Sequence, residues 1–176
     1  MRSTAVTGNL VRLRPIEARD ADAMFDLVSD TEAMRRIGVT TSLTRDTVAE
    51  WASVVADVDG RVDFAITAPD DDEFLGEAVL YDLDEGSRSA RLRVLLRKAH
   101  RNERMEAEAA RLILAEAFGT LQLHRVSAEP LAIDERGLRI VRFIGFREEG
   151  RLKESDRVGD TWVDRFLFAA LEGEVR

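Results

Sequence analysis

Hydrophobic residues in this chain recur with two spacings, one typical of helices and the other typical of strands. Between residues 48 and 55 they follow the i, i+3, i+4, i+7 spacing of an amphipathic helix, which Thr44 is placed to cap and Gly60 to end. A longer stripe of the same period begins at residue 105 and continues to 121. Further helices are predicted at 31–37, at 134–144 and at 20–28, the last with Asp20 as its N-cap.

Other segments alternate between apolar and polar residues, or are short and apolar, and these predict β-strands. The predicted strands lie at 9–14, 62–68, 74–81, 90–96, 124–129, 146–152 and 161–171, with Pro15 ending the first. Turn-forming residues at 69–72 and 84–87 join the three central strands, so we expect an antiparallel meander there. We therefore predict a single domain over residues 1–176, of the mixed α/β class, with a largely antiparallel central sheet flanked by helices.

Composition narrows the classes of function. The chain has 176 residues, 45% of them hydrophobic, but no apolar run near the ~20 residues of a membrane span. A net charge of −8 disfavours general nucleic-acid binding. Without cysteine and with two histidines, the chain has no thiolate or His-rich metal site, and we predict no metal. No apolar segment typical of a secretory signal follows Met1, so a cytoplasmic location is expected.

Six short segments lie along the predicted elements in a recognisable order. They are Leu13-Arg14-Pro15, Leu75-Gly76-Glu77, Glu108-Ala109, Leu123-His124-Arg125-Val126, Gly145-Phe146-Arg147-Glu148-Glu149-Gly150 and Trp162-Val163-Asp164. Together they cover nearly the whole chain, and they resemble the GNAT N-acetyltransferase superfamily, in particular its ribosomal-protein-alanine branch. The resemblance implies acetyl transfer from acetyl-CoA to an amine of a small molecule or a protein N-terminus.

The same resemblance implies where the cofactor binds. In GNAT proteins the fourth and fifth strands, here 90–96 and 124–129, splay apart and acetyl-CoA lies between them. Its pyrophosphate rests on backbone N–H groups at the start of the next helix, where an anion is favoured. The residues of this chain that the resemblance assigns to the cofactor are Val94, Leu95, Leu96, Arg101, Asn102 and Arg104.

This chain departs from the family pattern in the residues that hold CoA. The family loop has the form R-x-x-G-x-G/A, and here Arg101 matches while Arg104 and Glu106 replace the small residues. We therefore expect these two ionic side chains to lie where the diphosphate would bind, with Glu106 repelling it. Asp134 and Gly137 stand where the family often has Asn and Ser, and Arg91 replaces an acid that often activates the amine.

Cations are dense in the loop before the long helix. The cluster contains Arg97, Lys98, His100, Arg101 and Arg104. Two interpretations stay open. Basic side chains bind phosphates elsewhere, so these residues are candidates to hold the diphosphate in place of backbone groups. Alternatively, they belong to a solvated loop that Glu103, Glu106 and Glu108 neutralise.

Three residues are candidates for proton transfer. Glu77, in the central meander, is a candidate base for the amine, and Tyr81 on the same strand is a candidate donor to the departing thiolate. Asp134 is a third acid or base. Each has a structural alternative: Glu77 as a solvated strand residue, Tyr81 as an ordinary residue at a strand end, and Asp134 as an N-cap.

Three functions follow from these residues. The first is an acyl-CoA-dependent N-acyltransferase. The second is a GNAT-fold protein that no longer uses acetyl-CoA and instead catalyses another reaction, takes another acyl donor or only binds a ligand. The third is an interaction module whose exposed strands pair into a homodimer.

Overall fold

Eight strands form one sheet in this protein, for which a computed structural model describes residues 5–175. Along the sheet the order is β1-β2-β3-β4-β5-β6-β8-β7, and every neighbouring pair is antiparallel except β5 and β6. The strands are β1 (Val6–Thr7), β2 (Arg12–Pro15), β3 (Val62–Thr67), β4 (Gly76–Asp84), β5 (Ser89–Leu96), β6 (Arg125–Ala128), β7 (Arg147–Val158) and β8 (Thr161–Leu171). The predicted mixed α/β fold and its central meander are confirmed.

Helices cover both faces of this sheet. They are α1 (Ala21–Val28), α2 (Thr31–Arg36), α3 (Arg45–Val54), α4 (Glu103–Gly119) and α5 (Glu135–Phe143). Buried side chains of α1, α2 and α3 pack with Ala65 and Leu95, whereas those of α4 and α5 pack with Ile66 and Leu96. Because successive residues of a strand point to opposite faces, the two groups of helices lie on opposite sides of the sheet.

The parallel strands β5 and β6 separate soon after they begin to pair. Their register runs only from Ser89 opposite Arg125 to Arg91 opposite Ser127. From there β5 continues to Leu96 with no residue of β6 opposite it among the described residues. The splay implied by the resemblance is therefore present, and it leaves one edge of β5 without a partner strand.

Several details of the elements differ from the sequence prediction. Asp20 does not cap α1 with its side chain; its two carboxylate oxygens instead accept hydrogen bonds of 2.7 Å from Arg14, and both side chains are 4% exposed. Pro15 is the last residue of β2, opposite Phe64, so this strand ends within one residue of its predicted end. Strand β1 was not predicted, and β7 extends to Val158, six residues beyond the predicted end.

The Glu108-Ala109 segment has a structural role. The carboxylate of Glu108 accepts hydrogen bonds of 2.6–3.0 Å from the backbone N–H groups of Asn9, Leu10 and Val11. Gly8 passes so close that a Cβ there would lie 2.8 Å from the Glu108 carboxyl carbon. One helix residue thus fixes the segment leading into β2 against α4.

Neither a bilayer-spanning helix nor a metal-binding group of side chains occurs among residues 5–175. No helix there is both long and apolar enough to cross a membrane. Within the same residues, no three histidine or acidic side chains gather as they would around an ion.

Candidate functional site

A cavity of about 140 Å³ opens where β5 and β6 part. Leu92 and Val94 of β5 line it, as do Ala128 of β6 and side chains of α4 and α5. Arg36 at the end of α2 lines it too, although α2 belongs to the opposite helical layer. The cavity is therefore reached by residues from both faces of the sheet, which the gap between the strands makes possible.

Asp134 lies in the wall of this cavity and also caps α5. Its carboxylate accepts a hydrogen bond of 3.2 Å from the backbone N–H of Gly137 and lies 3.7 Å from the Arg36 guanidinium. A Cβ at Gly137 would come within 2.3 Å of the Asp134 carboxylate, so the absence of a side chain there makes this geometry possible. Burial raises the pKa of the Asp134 carboxyl, partly offset by the Gly137 hydrogen bond and by Arg36.

The other two candidates for proton transfer lie in different surroundings. Tyr81 lines the cavity, and the Arg93 guanidinium lies 5.7 Å from the centre of its ring. Glu77 is buried, and its carboxylate accepts a hydrogen bond of 3.0 Å from Arg93. Arg93 lines the cavity and Glu77 does not. The fold therefore brings Tyr81 and Asp134 to one cavity, whereas Glu77 is linked to that cavity only through Arg93.

The three β5 residues assigned to the cofactor are not equivalent. Val94 lines the cavity. Leu95 and Leu96 are buried on opposite faces of the sheet, each in one of the two hydrophobic cores. Only the backbone edge of this part of β5 is free of a partner strand, so Leu95 and Leu96 can reach a ligand there through their main-chain groups.

Most cations of the loop before α4 have partners outside the loop. Arg101 pairs with Asp30 and lies 3.9 Å from Glu32. Arg97 pairs with Asp26 at 3.1 Å and with Glu73 at 3.3 Å. The predicted neutralisation by Glu103, Glu106 and Glu108 is wrong, since these three contact Arg139, Arg136 and the backbone of residues 9–11.

Asn102 caps the first turn of α4. Its side-chain oxygen accepts hydrogen bonds from the backbone N–H groups of Arg104 at 3.0 Å and Met105 at 3.4 Å. Arg104 itself is exposed and has no carboxylate within 4.0 Å in the part of the chain that the structure describes. It borders a groove between α4 and α5 together with Arg139 and Phe143. The charge that replaces the family glycine thus lies at the outer end of the site.

Glu106, unlike Arg104, lies in the wall of the cavity. It is 6% exposed, and its carboxylate accepts a hydrogen bond of 2.6 Å from Arg136 Nε. Burial raises the pKa of the Glu106 carboxyl, and Arg136 opposes the shift. We expected the side chains of Arg104 and Glu106 to lie together, but the structure separates them, one in the groove and one in the cavity.

Several arginines of the site could not be identified from the sequence. Arg36, Arg93 and Arg165 line the cavity from α2, β5 and β8, and Arg136 holds Glu106 from α5. These elements are far apart in the chain, and no spacing or motif links them. The pairing of the elements in the fold is the only signal that brings these side chains together.

A family model described as an acetyltransferase (GNAT) domain matches residues 11–147 of the chain. The chain therefore belongs to the GNAT acetyltransferase family, as the resemblance implied. Members of this family transfer an acetyl group to amine substrates.

Individual proteins similar to this chain agree with that family. One from Bacillus subtilis, named "Probable N-acetyltransferase YjcK", is 27% identical in an alignment 173 residues long that covers 93% of this chain and 95% of that protein. A GNAT-family acetyltransferase structure from Bacillus anthracis has a TM-score of 0.83 at 22% identity, covering 97% of this chain and 100% of that one. The structure of spermidine N-acetyltransferase from Vibrio cholerae with CoA and spermine has a TM-score of 0.87 at 18% identity, covering 95% of this chain and 98% of the other. At these identities the two structures bear on the fold alone.

Proposed function

We propose that this protein is an acetyl-CoA-dependent N-acetyltransferase whose acceptor is an amine of a small molecule or a protein N-terminus. One observation carries the proposal: the unpaired edge of β5 borders a cavity between the parted strands, and α4 begins beside it. Membership of the GNAT family supports the same conclusion. The family argues against a pure interaction module, and the outer strand β7 is rich in charged residues, which disfavour edge-to-edge pairing.

The residues around the cavity fit coenzyme A. The β5 edge at Val94, Leu95 and Leu96 offers main-chain groups to an extended arm that contains amides, as a neighbouring strand would. Arg104 and Arg139, beside the first turn of α4, would hold the diphosphate. Phe143 borders the same groove with 68% of its surface exposed, and it offers an aromatic face to the nucleobase.

When bound, acetyl-CoA supplies an acetyl group activated as a thioester. The acceptor must lose a proton before its nitrogen can attack, and the Asp134 carboxylate is placed in the cavity to take it. The Tyr81 hydroxyl holds a proton that the departing sulfur can accept. Glu77 contributes through Arg93, which it holds at the cavity wall.

Two measurements on the purified protein test this function. Acetyl-CoA at about 1 mM should raise the melting temperature by several degrees, because it binds the native state selectively. Adenosine 3′,5′-bisphosphate serves as a control for phosphate binding alone. Incubation with a panel of amines should then release free thiol; the chain contains no cysteine, so a thiol reagent detects only CoA. Absence of any thermal shift would contradict the proposal and favour a GNAT fold used for another purpose.

Replacement of Glu106 by alanine tests whether this buried carboxylate opposes the cofactor. Glu106 lies in the cavity wall and not in the groove proposed for the diphosphate, but a buried charge is weakly screened and repels an anion nearby, and Arg136 is freed when its partner is removed. We expect the Kd for CoA in Glu106→Ala to fall about tenfold at low salt, and the gain to shrink as salt is added. Because the pKa of Glu106 is raised, CoA should bind the unmodified protein more tightly as the pH falls, and the variant should respond less.

Glu85→Ala is the matched control, since it removes the same charge at an exposed position in the turn between β4 and β5, and Glu85 lines neither the cavity nor the groove. Its Kd for CoA should stay within about threefold of the parent value, because solvent screens an exposed charge. Isothermal titration calorimetry measures the Kd for CoA of both variants. Weaker CoA binding in Glu106→Ala would mean that the Glu106–Arg136 pair helps to form the donor site.

A further inference from the structure

Two partly buried arginines in the cavity wall make few hydrogen bonds. Arg36, whose side chain is 21% exposed, makes no hydrogen bond within residues 5–175, and its nearest carboxylate is Asp134 at 3.7 Å. Arg93 makes a single hydrogen bond, to Glu77. The Nε atoms of both are buried and have no partner among the described residues. A guanidinium group has five N–H donors, and leaving even the one on Nε unpaired away from water is costly.

The carboxylates of the same cavity are, in contrast, already matched by arginines. Glu106 is bound to Arg136, and Glu129 lies 3.4 Å from Arg91 and 3.6 Å from Arg165. Asp134 is bound to the Gly137 backbone and faces Arg36. No lining carboxylate is left over to bind a second positive charge on an acceptor, whereas arginine donors remain for a negative one.

A neighbouring groove has the same charge character. It is bounded by α2, by the segment at 39–43 and by the turn between β7 and β8. Its lining contains several hydroxyl side chains and Arg35, but no carboxylate. Arg35 directly precedes Arg36, so α2 presents cations to both the groove and the cavity.

We propose that the acceptor of this protein is an amine that also carries a carboxylate, as a free amino acid does, and that Arg36, assisted by Arg93, binds that carboxylate. A guanidinium fork and a carboxylate form paired, charge-assisted hydrogen bonds, which would satisfy the donors left free in the cavity. The acceptor's nitrogen would then lie near Asp134, which faces Arg36. This inference rests on the proposed function and specifies its acceptor.

Equilibrium binding separates this proposal from the question of turnover. Each of L-alanine, L-leucine, L-phenylalanine and L-glutamate is titrated calorimetrically against its methyl ester, with and without saturating CoA. The ester keeps the ammonium group and removes the negative charge. Spermidine tests a polyamine acceptor, and phosphoethanolamine tests a phosphate in place of the carboxylate. At least one amino acid should bind about tenfold or more tightly than its ester, as expected for a charge-assisted pair.

Variants at Arg36 test whether this residue causes the preference for an amino acid over its methyl ester. In Arg36→Gln the ratio of acid to ester affinity should fall to about one, and in Arg36→Lys it should be intermediate, because lysine keeps the charge but not the fork. Arg147→Gln, at an exposed position at the start of β7 that does not line the cavity, makes the same charge change and should leave the ratio unaltered. Melting temperatures of all three show whether each variant is folded.

The outcomes are distinct. Equal or tighter binding of the esters or of spermidine overturns the proposal, and so does binding of no amino acid at all. Tighter binding of phosphoethanolamine than of every amino acid overturns the choice of carboxylate. A preference for acids that Arg36→Gln abolishes supports the proposal. If that preference appears but no amine releases thiol from acetyl-CoA, the carboxylate-binding site at Arg36 stands and the proposed transferase function fails.

Discussion

Asp20→Asn is expected to lower the free energy of unfolding by about 3 kcal/mol, the lower end of the cost of removing one member of a buried ion pair, because Asp72 remains 3.3 Å from Arg14 Nε. Asp20 accepts two hydrogen bonds of 2.7 Å from Arg14, and both side chains are almost fully buried. The same carboxylate accepts the backbone N–H of Glu17, so the replacement also disturbs the turn before α1. Urea denaturation followed by circular dichroism measures the change.

Arg19→Gln provides the comparison, because Arg19 pairs with Glu17 and Asp72 at the surface of the same turn. Solvent screens such pairs, so the denaturation midpoint of this variant should not move measurably. If Asp20→Asn unfolds at the same urea concentration as the parent, water or a rearranged Arg14 compensates the lost charge. The pair would then orient the turn without stabilising it.

Asp134→Asn is expected to lower kcat by about 100-fold, within the range typical of removing a general base. The substitution isolates that role, since asparagine caps a helix as well as aspartate does and should leave the stability of α5 almost unchanged. The raised pKa of Asp134 also predicts a pH dependence. Activity should fall as the pH drops and the carboxyl becomes protonated, and the variant should lose this acidic limb.

Glu77→Gln is the companion variant, because Glu77 is a second buried carboxylate that Arg93 separates from the cavity. Its effect on kcat should be the smaller of the two, and its acidic limb should persist. Initial rates of thiol release between about pH 5 and 9 would measure both. Full activity and an unaltered pH profile in Asp134→Asn would reduce Asp134 to a helix cap.

Local patterns were sufficient for most of the secondary structure. The period of the apolar stripe after Met105 identified α4 to within two residues at each end, since each turn of a helix buries the same face. Thr44 and Asp134 were identified as caps because a cap bonds backbone groups two or three residues away. The same reasoning failed for Asp20, whose preferred partner is the buried Arg14 on another element.

Less of the candidate site could be predicted. The β5 segment, Tyr81 and Asp134 were identified from the resemblance and from the elements on which they lie. The partners of the charged residues were not, because they come from distant parts of the chain. Arg101 pairs with Asp30 across 71 residues, and Glu106 pairs with Arg136 across 30. No periodicity connects such positions.

The amino-acid sequence by itself determined the class of fold and the order of its main elements, because hydrophobic period, caps and turns act over a few residues. The family was indicated by the resemblance of six short segments. The tertiary structure alone decided which charges are neutralised and which face the cavity. Packing determines which carboxylate lies beside each guanidinium group and how far both are removed from water. Arg101 therefore pairs with Asp30, Glu106 lies in the cavity wall, and the buried Nε of Arg36 has no hydrogen-bond partner within residues 5–175.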